Sequence, residues 1–328
     1  MNEFDLIDKK IMLEMDIDAR QSYNQLAKKV RISPELARYR LKKLIDDKVI
    51  LGFNIVIDIG KIGFFHYEVY LRFQKINEEK EKEIINYLKT ANNILWLASC
   101  LGHYDIVFSV IAKDNIQFSK VLSDILDKYG EFIFERNVQS TIKIPHFSRN
   151  YLVPNSKVHE FSFSSSRNMN VSMDRIDFTI LRILMNDARM HLTKLSKKTG
   201  ISLDIVNYRL KQLIKKGVIQ LFRAHIDKRK LNRMHFQILF NFKNLNSELK
   251  SKFIEFCRQL DSSTYVLDTI GKYDLILELE PENQKEFNNI LKKIRYEFSD
   301  QLIDYEPLTI TEDIKYDYFR LDEKEFFR

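Results

Sequence analysis

The 328-residue chain has only two cysteines, Cys100 and Cys257. Two thiols cannot make a disulfide framework, and no histidine or cysteine stands at zinc-ligand spacing around either. The chain therefore reads as one that keeps its thiols reduced, as in the cytoplasm. Long apolar runs are also missing, and none approaches the roughly 18 residues that a membrane-spanning helix needs. The N-terminus, Met1-Asn2-Glu3-Phe4-Asp5, is acidic and polar and does not read as a signal peptide. The seven histidines (66, 103, 146, 159, 191, 225 and 235) include no pair at i,i+4 spacing. No activated nucleophile is visible, and no pattern calls for a metal or a cofactor. What is present suits a folded chain with a sizeable core: 45% hydrophobic and 30% charged residues, unlike a disordered or collagen-like sequence. The length is about twice that of one ordinary domain, so several modules are expected. A net charge of +7 is a mild hint of an acidic partner.

Most of the chain is an internal repeat. A shift of 169 residues lays Asp5-x-Ile7-Asp8 on Asp174-x-Ile176-Asp177, and Asp18-Ala19-Arg20 on Asp187-Ala188-Arg189. It also lays Tyr39-Arg40-Leu41-Lys42 on Tyr208-Arg209-Leu210-Lys211, with 23 identities in the 54 positions of 5–58 and no gap. Far downstream the same offset lays Gly102-His103-Tyr104-Asp105 on Gly271-Lys272-Tyr273-Asp274. This is a duplicated two-part unit. Between the copies, residues 148–172 are rich in Ser and Asn and lack helical periodicity. They read as a tethering surface loop with one short extended segment at Val158–Phe163.

Each copy changes pattern once. In the first fifty residues, Ile7, Ile11 and Met15, then Leu26, Ala27 and Val30, then Ala37, Leu41, Leu44 and Ile45 mark three short helices. Ser33-Pro34-Glu35 is a strong start for the third, because serine caps free N–H groups and proline at the first helical position loses no needed donor. Ser202-Leu203-Asp204 repeats it. Helix two ends at Val30-Arg31 or Thr199-Gly200, leaving the short turn of a helix-turn-helix. Beyond Ile50 the pattern alternates: Phe53–Asp58 and Phe65–Phe73 extended, Glu78–Thr90 helical, Ile94–Leu101 and Ile106–Ala112 extended, Ile116–Tyr129 helical, Glu135–Ile144 extended. Strand–helix–strand–strand–helix–strand is the ferredoxin-like order. The expected fold class is thus α+β, with two winged helix-turn-helix domains and two βαββαβ domains in tandem. The expected bounds are 1–52, 53–147, a linker at 148–172, 173–221 and 222–320.

The third helix has an apolar face that must pack inward and a polar one that faces out. The candidate DNA-binding residues are Ser33, Glu35, Arg38, Tyr39, Arg40, Lys42 and Lys43, and in the second copy Ser202, Asp204, Asn207, Tyr208, Arg209, Lys211 and Lys215. Arg, Asn and Lys donate to base edges or phosphates, and Tyr reaches a thymine methyl or a phosphate. A solvated helix face would look similar, but charge is concentrated on these modules. Residues 17–61 carry net +5 and residues 186–230 net +9, leaving the rest near −7. Double-stranded DNA is the expected partner.

The run Ser-x-x-x-x-x-Tyr-Arg-Leu-Lys-x-Leu-Ile-x-x-x-Val-Ile resembles the winged helix-turn-helix of the Lrp/AsnC (feast/famine) transcriptional regulators. The initial Asp-x-x-Asp-x-x-Ile and the Asp-Ala-Arg before helix two are similar to that family as well, and the second half resembles its RAM module. Copy one departs from the pattern at Arg31 and Lys48, where glycine is usual and positive φ is often wanted, so it is expected to bind DNA less tightly or with different specificity. The resemblance implies paired RAM modules and an amino-acid effector near the Gly-x-Tyr-Asp turn, here Gly102, Tyr104 and Asp105 with Gly271, Tyr273 and Asp274. The same residues also suit an ordinary hairpin turn. With two copies in one chain, and a linker reaching roughly 25–30 Å, the RAM modules should pair internally, and such chains should form homodimers. Some relatives decarboxylate sirohaem, with a Cys-Tyr-x-Arg-like stretch in place of Gly-x-Tyr-Asp. Cys100 is followed by Leu101-Gly102-His103, so an enzyme is not the expected reading. An architectural or adaptor protein is the alternative to a regulator.

Overall fold

The computed structural model describes residues 4–164, 171–316 and 323–327. Each copy opens with three helices: α1 (Leu6–Ile17), α2 (Tyr23–Val30) and α3 (Pro34–Asp46), followed by strand β1 (Ile50–Ile57). Local chemistry sets their starts. Asp5 caps α1, Ser22 and Gln25 form a capping box on α2, and Ser33 caps α3 ahead of Pro34. Arg31 and Lys48 both take the left-handed conformation, with φ of 64° and 58°.

The first RAM module follows as β2 (Phe65–Phe73), α4 (Glu78–Thr90), β3 (Ile94–Leu101), β4 (Ile106–Ala112), α5 (Asn115–Tyr129) and β5 (Ile133–Phe147). The inter-copy segment supplies β6 (Glu160–Ser164), paired to the end of β5. The second head is α6 (Arg175–Asn186), α7 (Leu192–Thr199), α8 (Leu203–Lys215) and β7 (Ile219–Ile226). The second RAM module is β8 (Phe236–Phe242), α9 (Ser247–Arg258), β9 (Ser263–Ile270), β10 (Leu275–Leu279), α10 (Gln284–Glu297) and β11 (Leu302–Tyr316), and a short α11 (Glu323–Phe327) ends the chain.

The two RAM sheets merge. Strand order runs β2-β4-β3-β11-β8-β10-β9-β5, and β5 pairs back onto β2, so eight strands close into a barrel. Period-two alternation then sorts the side chains. Val69, Leu71, Phe108 and Val110 point out under α4 and α5, and Phe236, Ile238, Phe240 and Leu277 point out under α9 and α10. Tyr70, Cys100, Tyr104, Leu239, Leu267, Tyr273, Ile276 and Leu308 fill the inside. The internal RAM pairing expected from the duplication is thus present, with each copy's four strands forming one continuous half of the wall.

The heads join as well. The strand expected at Phe53–Asp58 runs from Ile50 to Ile57, across the 52/53 boundary, and pairs with β7 rather than entering a RAM sheet. Helix α1 packs on β7 and α6 on β1, so each head rests on the other copy's strand. The exchange is near symmetric. Ala19 N donates to Phe222 O (2.7 Å) and Ala188 N to Phe53 O (2.9 Å), while Arg20 Nη1 reaches Ala188 O (2.8 Å) and Arg189 Nη1 reaches Ala19 O (2.6 Å). Both heads share one hydrophobic core, from Ile11 and Met12 to Phe178 and Leu181.

The start of the inter-copy segment differs from the surface loop read in the sequence. Ser148, Arg149, Asn150, Tyr151 and Leu152 are buried, and Arg149 lies between the carboxylates of Asp16 and Glu280. Long-range ion pairing, invisible in local composition, overrides the polar loop signal there.

Candidate functional site

On the heads, α3 and α8 present the expected faces. Ser33, Glu35, Arg38, Tyr39, Lys42 and Lys43 are exposed, as are Ser202, Asp204, Tyr208, Lys211 and Lys215, while Asn207 is half-buried. Ser33 and Ser202 also accept from the amides of Leu36 and Ile205, capping the helices they open. Arg40 and Arg209 turn elsewhere. Arg40 pairs with Asp5 (2.8 Å) and Asp8 (3.1 Å), and Arg209 with Asp174 (2.7 Å) and Asp177 (3.3 Å), tying each reading helix to the acidic start of its head's first helix.

The two Gly-x-Tyr-Asp turns come together at the barrel end away from the heads. Tyr104 and Tyr273 are buried inside the wall. Asp105 accepts from Phe73 N (2.6 Å) and Asp274 from Phe242 N (2.7 Å), the bonds of a structural turn. Both glycines allow close strand packing. A Cβ at Gly102 would stand 3.0 Å from Pro307 O, and one at Gly271 would stand 2.7 Å from Val138 O. Lys272, His103 and Glu135 line the outer edge. His103 Nε2 lies 2.8 Å and Lys272 Nζ 3.4 Å from Glu135, which holds that carboxyl below its ordinary range.

The opposite mouth of the barrel, under the β1–β7 ribbon, holds a cavity of about 440 Å³. Four of the seven histidines meet there: His66, His146, His225 and His235. Burial holds His66 down to about 4. Burial and the Arg149 charge hold His225 down to about 4. His146 lies well below the imidazole range through burial and then Arg223 and Arg149. These three rings are therefore neutral near pH 7. Nδ1 of His66 lies 2.9 Å from Thr141 Oγ1, and its Nε2 has no hydrogen-bond partner among the described residues.

Aromatic faces line the same space. Tyr265 sits 4.5 Å from the His146 ring, Tyr316 stacks on His225 at 4.8 Å, and Trp96 donates to Asp313 (3.0 Å). A polar chain crosses the floor. Tyr70 donates to Glu68 (2.7 Å), Gln237 to Glu278 (2.9 Å), and His235 Nε2 lies 3.0 Å from Glu278, with Lys228 Nζ 2.7 Å from His235 Nδ1. Burial and the nearby Glu278 charge push Glu68 up to about 8, so it is largely protonated at neutral pH. Burial opposes ionisation of Asp313, but Lys228 and His235 outweigh it and hold the carboxyl down to about 2. The turn 228–233 adds Lys228, Arg229 and Arg233 to the rim. No three His, Cys, Asp or Glu side chains among the described residues are placed to hold a metal ion by themselves. Sequence reading missed this cavity. One signal was available, since His66 and His235 occupy the same position of the repeat.

A family model described as winged helix-turn-helix DNA-binding matches residues 4–50 and 173–220, the two heads. The HTH-type transcriptional regulator FL11 of Pyrococcus horikoshii is 30% identical over 126 residues, covering 38% of this chain and 82% of its own. The HTH-type transcriptional regulator Ptr1 of Methanocaldococcus jannaschii is 31% identical over 120 residues, covering 37% and 80%. The chain belongs to the Lrp/AsnC family. It is a tandem Lrp/AsnC transcription regulator, each relative matching little more than a third of it. A solved structure of similar architecture is that of the siroheme decarboxylase NirDL, with a TM-score of 0.66 at 13% identity over 98% of this chain and 96% of that one. A second NirDL structure, in co-complex with an iron-uroporphyrin III analogue, gives 0.65 with the same identity and coverage. At that identity the likeness is one of fold. Among the described residues, no helix of this Lrp/AsnC chain is long and apolar enough to cross a membrane.

Proposed function

We propose that the chain regulates transcription by reading one asymmetric DNA site with both heads at once, and that it performs no catalytic step. The observation that carries this reading is the pair of exposed, basic helices α3 and α8 on one shared core, displaying Arg38 in one copy and Asn207 in the other. The test is a gel-shift series on the gene's own upstream region, with competitor DNA at two salt concentrations. A site preferred over bulk DNA by about a thousandfold or more supports a regulator. Equal affinity for all DNA would instead favour an architectural protein.

Two finer points belong to the same reading. The half-exposed Lys272 and Glu135 beside Gly102, Tyr104, Asp105, Gly271, Tyr273 and Asp274 offer one partner for each charge of an amino-acid-like effector. Binding there should raise the melting temperature in a screen of amino acids. At the same barrel end Leu101, Phe134, Ile270 and Ile303, two pairs of repeat-equivalent positions, are 62–67% exposed. Such a patch suits an isologous contact with a second copy. Light scattering on the eluted peak should then give twice the 39.3 kDa chain mass.

The imidazole-lined cavity favours a second reading for that place, in which it holds an iron tetrapyrrole of the kind seen in the NirDL co-complex. Neutral imidazoles suit an open iron position, aromatic faces suit a flat ring, and the basic turn 228–233 suits carboxylates. When bound, the iron would supply a coordination position to an imidazole such as His66. Titration with iron-uroporphyrin III should give a saturable Soret shift that His66→Ala weakens. No shift would remove this reading. Loss of a carboxylate from the bound ring, followed by mass spectrometry, would contradict the absence of a catalytic step.

A further inference from the structure

We infer that a ligand at the barrel mouth sets the DNA affinity of the two heads, with Arg149 as the residue that links them. It rests on the reading that the cavity takes a flat, carboxylate-bearing molecule. The roof of the cavity is the underside of the heads: Val56 and Ile57 of β1, His225 and Ile226 of β7. Each of these strands begins only a few residues after a reading helix, across 47–49 and 216–218. Heads and ribbon share one core, but the Arg149 tie holds only α1 of the first head, so loosening it lets the first reading helix shift against the second.

The hold between the first head and the barrel is a buried ion cluster. Asp16, on α1 of the first head, is fully buried. Arg149 Nη1 lies 2.7 Å from Asp16 Oδ1 and its Nε 3.0 Å from Glu280 Oε2 on the barrel, while Arg223 of β7 reaches Asp16 at 2.8 Å. Arg149 and Glu280 also line the cavity. One guanidinium therefore touches the head, the barrel and the ligand space. A ligand carboxylate placed beside Arg149 would compete with Asp16 for the same fixed fork of N–H donors. A buried ion pair does not stretch gradually, because an unpaired buried charge is strongly unfavourable. The first head is expected to switch between two settings against the second. The sixteenth position of the second copy is Met185, so only the first head carries this link.

The experiment uses the full-length chain, iron-uroporphyrin III as probe, and the DNA fragment it prefers. Saturating probe is expected to change the DNA dissociation constant about five-fold or more, and saturating DNA to change the probe's constant by the same factor, because coupling between sites is reciprocal. Asp16→Asn should retain the Soret shift while the factor falls towards one. Should that variant fail to fold, Arg149→Lys keeps the charge, loses the fork and should weaken the coupling likewise. A probe that binds, with its Soret shift intact, yet leaves DNA affinity unchanged overturns this inference while the cavity reading stands. A probe that does not bind at all overturns both.

Discussion

Arg149 joins the first head to the barrel through two buried carboxylates, Asp16 and Glu280. Burial opposes its charge, but Glu280 and Asp16 hold the guanidinium firmly protonated, and Arg149 in turn helps to hold Glu280 well below the usual carboxylate range against its own burial. Arg149→Ala would take the paired cation from buried Glu280 and leave Asp16 with Arg223 alone, and is expected to destabilise the fold by about 3–5 kcal/mol, measurable by denaturant unfolding. Glu68 makes a second residue-scale prediction. Its carboxyl titrates near 8 in the folded chain against an ordinary value of 4.5. The folded state therefore holds this proton more tightly, and the resulting stability is complete below about 4.5 and is lost as pH rises through about 8. Glu68→Gln should lose less stability than the parent between about pH 5 and 8, and an unchanged slope would contradict the protonated assignment. Arg31 and Lys48 make a third. Both occupy left-handed backbone at φ 64° and 58°, where the second copy has Gly200 and Gly217. Arg31→Gly or Lys48→Gly should each stabilise the DNA-free chain by about 0.5–1 kcal/mol, and a loss of stability would argue against strain at these turns.

At the scale of elements, the reading helices carry the sharpest test. Asn207 sits on the outward face of α8, next to exposed Tyr208, while Lys215 lies at its far end beyond the first two turns. Asn207→Ala should weaken binding to a preferred site by about 1–3 kcal/mol and hardly change bulk binding, because base contacts specify. Lys215→Ala should weaken both about equally. Equal losses for Asn207→Ala in a competition assay would place the base reader elsewhere. The elements themselves were largely legible in the sequence. Helix α4 and strands β2, β3 and β4 have the bounds that apolar spacing suggests, α4 burying one face and the strands both, one inside the barrel and one under its helices. Strand β1 was legible only as an extended segment. Period-two alternation shows that a strand has two faces, but its hydrogen-bond partner, β7, lies about 170 residues away and is chosen by the packing of whole heads.

Across the whole molecule, the duplication became a pseudo-two-fold object in which copy two completes copy one. The repeat offset foretold this pairing, because two RAM sheets on a flexible tether meet at high effective concentration. The cavity at the barrel mouth was not foretold. His66 and His235 are repeat-equivalent and hinted at a shared place, but His146 and His225 reach it only through barrel closure and the ribbon overhead. Broken symmetry is the functional point. The shared core holds both reading helices in one assembly, and their outward side chains differ, Arg38 against Asn207 and Lys43 against Gln212. Two such heads are expected to prefer different half-sites. The most direct measurement is footprinting of the full-length chain on its preferred DNA, followed by substitution of each base pair. The expected result is one protected site whose two halves differ in sequence, with the half preferred by α8 shifting in Asn207→Ala. A perfectly palindromic site, or protection spread evenly along the DNA, would contradict it.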